Sequence, residues 1–93
     1  MPVGLLTLEI RIPYAQSLKE RRAVLRKLRD RLRTRFNVAV AELDAQDVWQ
    51  RATLGVSSVS GSRQMLESLF QQVLREAENT LGDDVADYFV EIF

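Results

Sequence analysis

Apolar and polar positions alternate from residue 3 to residue 12, with Gly4, Leu6, Leu8, Ile10 and Ile12 on one side and Val3, Leu5, Thr7, Glu9 and Arg11 on the other. A period of two is that of a strand with one buried face, and the even positions form the core face. Pro13 interrupts the run. Ser17 followed by Glu20 has the spacing of a capping box, which predicts a helix starting at Leu18. Leu18, Leu25, Leu28, Leu32 and Phe36 then fall on one side of that helix, and Asn37, tolerant of the left-handed conformation, is expected to end it.

The stretch from 38 to 59 divides into two strands, 38–44 and 48–59, joined by a short polar turn around Ala45 to Asp47. So brief a connection requires antiparallel pairing. "SGSR" opens a second helix whose predicted buried stripe is Met65, Leu66, Leu69, Phe70, Val73 and Ala77, and "LGDD" closes it. Residues 85–93 supply a last strand.

The order βαββαβ predicts an α+β fold of the ferredoxin-like class, a four-stranded antiparallel sheet with both helices on one face, as a single domain spanning residues 1–93. The opposite sheet face is left open. Thr7, Glu9 and Arg11 from the first strand and Arg51, Thr53 and Gly55 from the third are expected there, which makes that face polar.

Composition narrows the chemistry. The chain contains neither cysteine nor histidine, which removes disulfides, thiolate sites, the commonest zinc ligands and the usual partner of a serine nucleophile. Four glycines at 4, 55, 61 and 82 lack the grouping of a phosphate-binding loop, and the serines of "SSVSGS" form no nucleophile elbow. No catalytic residues, no metal and no cofactor are expected, and the protein is read as a non-enzyme. Glu42, Asp44 and Asp47 are the one carboxylate group with a conceivable Mg²⁺ or Ca²⁺ role, and cross-strand pairing with arginine is the simpler reading. The N-terminal apolar run is broken by Glu9 and Arg11, so neither a signal peptide nor a membrane span is expected and a cytoplasmic setting is the default.

Charge changes the picture most. Lys and Arg together number 13, as do Asp and Glu, so the formal net charge is zero. Residues 19–35 nevertheless hold nine basic and two acidic residues, a net +7, while residues 67–93 hold seven acidic and one basic, a net −6. On a helical projection Lys19, Arg22, Arg26, Arg29 and Arg33 share a sector of about 80° beside the leucine stripe, and Lys27, Arg31 and Arg35 border its other side. Arg21 projects into the leucine sector itself, so it must pair with a carboxylate or reach past the sheet end. A merely solvated helix face usually mixes signs, because like charges one turn apart repel. Arginine outnumbers lysine eleven to two, and its planar fork fits phosphate. An RNA or ribosomal partner is therefore expected on Lys19, Arg22, Arg26, Arg29 and Arg33, aided by Trp49 and Arg51. Base stacking on the open sheet is not expected, since its central strands present Thr7, Glu9, Arg51 and Thr53 where an RNA-recognition motif carries aromatics. The alternative is a homo-oligomeric regulatory or interaction module that pairs through the open sheet face or an edge strand.

"SLKERR" after a first strand, followed by "RFNVAVAEL" and "DVWQRATLGV", resembles the YlxP-like family of small bacterial proteins, a domain of unknown function. The likeness spans nearly the whole chain. It implies a ferredoxin-like fold, a cytoplasmic bacterial setting and genes beside those of a ribosome-binding factor and a translation initiation factor, hence a part in ribosome maturation or RNA metabolism. Many members of the family carry a histidine before "QD", where this chain has Ala45.

Overall fold

The computed structural model describes residues 1–43 and 50–93. Its elements run β1 (Val3–Arg11), α1 (Leu18–Arg35), β2 (Ala39–Glu42), β3 (Arg51–Val59), α2 (Arg63–Leu81), a 3-10 turn (Gly82–Asp84) and β4 (Val85–Ile92). The strands form one antiparallel sheet in the order β2-β3-β1-β4, with β1 paired to both β3 and β4. This is the ferredoxin-like arrangement that the order of elements predicts. The turn expected around Ala45 to Asp47 lies outside the described residues.

Alternation along β1 decides which face the helices cover. Leu6, Leu8, Ile10 and Ile12 are fully buried and meet Ala52, Leu54 and Val56 of β3 under Leu25, Leu28 and Leu32 of α1 and Leu66, Phe70, Val73 and Ala77 of α2. Each such leucine or phenylalanine contributes on the order of 1.5–3 kcal/mol of burial. Gly4 belongs to this face for a steric reason. A Cβ there would stand 2.5 Å from the ring of Phe70, so the absence of a side chain lets α2 lie on the strand.

Both helices start as their sequences dictate. Ser17 Oγ accepts from the Glu20 amide at 3.1 Å, and Ser62 Oγ from the Met65 amide at 3.1 Å. The reciprocal arm of the first cap lands one residue early, since Glu20 accepts from the Gln16 amide at 2.7 Å.

Four expectations require correction. Met65 is 65% exposed and lies outside the α2 stripe, because the buried row begins with Leu66. Leu18, at the first turn of α1, is 39% exposed, and the buried position one turn on belongs to Arg21. α1 ends at Arg35 with Phe36 extended, its amide donating to Leu32 O, and no described residue other than Gly82 has positive φ, so Asn37 makes no left-handed cap. The open sheet face is not uniformly polar: Leu5, Leu43, Val59, Phe89 and Phe93 join it, as pairing with β1 and β3 dictates.

Candidate nucleic-acid interface

α1 packs along the β2 side of the sheet through Leu25, Leu28 and Leu32, which turns the neighbouring sector outward. Lys19, Arg22, Arg26 and Arg33 are exposed there, and Arg29 is half-buried between them. The row covers fourteen residue steps, about 21 Å of helix. Among the described residues, the side chains of Lys19, Arg22, Arg26 and Arg33 make no hydrogen bond or ion pair, while Arg29 meets its neighbour Asp30 at 3.2 Å.

The other flank behaves differently. Arg35 and Arg31 lie 2.9 and 3.7 Å from the carboxylate of Glu76 on α2, and Arg31 also donates to Thr80 Oγ1 at 3.3 Å. Glu76 is the more enclosed partner, its side chain only 11% exposed. These two arginines bind the helices to each other, so of the three cations on this border Lys27 alone stands without a partner among the described residues.

Arg21 is resolved by its environment. Its guanidinium is buried at the β2 edge, donates to the carboxylate of Glu42, and reaches the carbonyl of Arg51 through Nε at 3.3 Å and Nη2 at 3.2 Å. Burial of a charge is tolerated only with such partners. Glu42 is thereby committed to a cation, which leaves the metal reading without its first ligand. Asp44 and Asp47 lie outside the described residues, and among the described residues no cluster of three metal-ligating side chains occurs.

A groove of about 240 Å³ runs between α1 and β2, walled by Arg22, Arg26 and Arg29 and floored by Leu25, Val40 and Leu54, with Glu42 at its end. Sequence reasoning found the arginine wall and missed the floor, because Val40 and Leu54 come from strands whose position beside the helix is set only by the sheet order. Arg51 does not join this site. It pairs in register with Arg11 on the open face, on the far side of the sheet from α1. Trp49 lies outside the described residues.

The sheet order, the two helices on one face and the split βαβ connectivity define a ferredoxin-like protein. Solved structures agree in fold. A putative antibiotic biosynthesis monooxygenase from Bordetella bronchiseptica is similar at a TM-score of 0.58 with 16% identity, over 100% of this chain and 96% of that one. A dimeric ferredoxin-like protein of unknown function from Thermobifida fusca is similar at 0.51 with 10% identity, over 98% and 90%. Within this class the chain belongs to the DUF503 family, proteins of unknown function, which it matches over residues 3–89. It is 43% identical over 72 residues to the uncharacterized protein YlxP of Bacillus subtilis (strain 168), covering 77% of this chain and 78% of that protein. Among the described residues no helix is long and apolar enough to cross a membrane.

Proposed function

We propose that this protein is a non-enzymatic, cytoplasmic accessory factor that binds RNA or ribosomal particles through the outer row of α1 and serves ribosome maturation. The observation that carries the reading is the asymmetry of the helix. Arg31 and Arg35 share the carboxylate of Glu76, whereas Lys19, Arg22, Arg26 and Arg33 stand exposed along about four turns with no partner among the described residues. Like charges at this spacing repel, and an anionic polymer that neutralises several at once relieves that repulsion while releasing its own counterions. Guanidinium groups above an apolar floor also admit the flat face of an unstacked base beside its phosphate.

The test is retention on structured RNA and on isolated ribosomal subunits, for the natural chain and for a variant with Arg22, Arg26 and Arg29 all changed to Glu. Retention of the natural chain that falls with salt, and none for the variant, is the expected result. Equal retention of both removes the helix as the contact.

A further inference from the structure

The open face of the sheet carries a projecting ring at one edge and a hollow at the other. Cross-strand register places Phe89, Thr7, Gly55 and Ala41 in one row from β4 to β2. At the β4 end of that row Phe89 stands proud, 53% exposed. At the β2 end, Gly55 and Ala41 leave a hollow of about 140 Å³ walled by Leu5, Leu43 and Ser57. The hollow is open to solvent and lined mainly by apolar atoms, so an aromatic side chain can rest in it. One face thus carries both a ring and a seat for a ring.

We infer that two copies of this chain pack open face to open face about a two-fold axis parallel to the strands, passing between β1 and β3. Such an axis lays β1 over the partner's β3 and β4 over the partner's β2. Every row then meets itself reversed, so Phe89 enters the hollow at the partner's Ala41, and Thr7 lies over the Leu43 side chain that covers the partner's Gly55. The contact occurs twice, as an isologous interface requires. The flanking rows set Leu5 over the partner's Ser57 and Glu9 over the partner's Thr53, with Glu91 and Asp87 on the outer strand β4, and the row at the apolar end sets Val3 over the partner's Val59.

Charge chooses this axis over the other. Rotation about an axis across the strands would set the apolar end, Val3, Val59 and Phe93, against the end that carries Arg11 and Arg51. The axis along the strands brings apolar to apolar, and the row in which Arg11 lies over the partner's Arg51 falls at the rim, where water screens the two cations. Area is sufficient. Four strands at ~4.8 Å spacing and seven residues at ~3.3 Å cover on the order of 450 Å² in projection, and side-chain relief brings two such faces to roughly the 1,200 Å² at which specific dimers begin. The helices, with the arginine row, remain on the outer surfaces.

Sedimentation velocity across a wide dilution series tests the inference, using the natural chain, Phe89→Asp, Ala41→Arg, and an equimolar mixture of the two variants. Both positions are exposed, and thermal melting checks that each variant keeps its fold. The natural chain should be a dimer that dissociates on dilution and tightens with salt, the reverse of the salt response of RNA binding, so failure of either reading is separately visible. Each variant alone should sediment as a monomer at concentrations at least tenfold above the natural midpoint. The mixture should dimerise, because one seat keeps Phe89 on Ala41 while the other opposes the new carboxylate to the new guanidinium. A natural chain that is monomeric throughout, an oligomer unaffected by Phe89→Asp, or a mixture that stays monomeric would each overturn the proposal.

Discussion

The buried guanidinium of Arg21 on α1 is held by the carboxylate of Glu42 on β2 and by the carbonyl of Arg51 on β3. One side chain thereby ties the first helix to both strands on its side of the sheet, at the mouth of the arginine groove. The pair is a cross-link of orientation more than of net stability, since desolvation of a buried ion offsets most of its attraction.

Removing one partner should therefore be worse than removing both. Glu42→Ala leaves a buried cation short of its acceptor and should cost about 2 kcal/mol, a little below the range for fully enclosed pairs because the Glu42 side chain is 32% exposed. The double variant Arg21→Met, Glu42→Gln should lose less than the single one. Urea denaturation of the set measures both.

The close approach of Phe70 to Gly4 predicts that Gly4→Ala destabilises by roughly 1–3 kcal/mol, the range for overpacking a core, because the ring has to yield to a methyl group at 2.5 Å. Gly61→Ala is the control. Nothing lies within 4 Å of its Cβ position and its φ is not positive, so its melting temperature should stay the same or rise slightly.

Glu76 engages two arginines of the second basic flank with one carboxylate. Glu76→Gln should lower stability by about 1 kcal/mol or less, as for pairs whose cations are largely exposed. Under the RNA-binding proposal it should raise affinity at low salt, because Arg31 and Arg35 become available to phosphate. A gel-shift titration with the natural chain beside the variant reads this directly, and a loss of affinity would contradict it.

Five cations in the row predict a slope of log affinity against log salt of roughly −3.5 to −4.5. Arg26→Ala should make it shallower by about 0.7–0.9, and Arg51→Ala, on the opposite sheet face, should leave it unchanged. A fluorescence-anisotropy series over salt concentration distinguishes the two positions.

Much of the fold was legible because its signals are local. Alternation from Val3 to Ile12 needs only neighbouring residues to be read, and so do the Ser17 and Ser62 caps and the Leu25, Leu28, Leu32 stripe. The basic row was legible for the same reason, since angular position on a helix follows from residue number. The polar reading of the open face failed because it took only one end of the two central strands, passing over Leu5 and Val59, and left out what β2 and β4 bring beside them, Leu43 and Phe89 above all.

The sequence by itself determined which residues form helices and strands, which side of each is apolar, and that nearly all the positive charge of the first half lies on one helix, because periodicity and charge are properties of adjacent positions. Only the tertiary structure decided that Arg31 and Arg35 pair with Glu76, that Arg21 is buried against Glu42, and that Phe89 and the Ala41 hollow share a face. Those facts depend on which strands become neighbours, and pairing between residues far apart in the chain is settled by packing across the whole sheet, which no local pattern encodes.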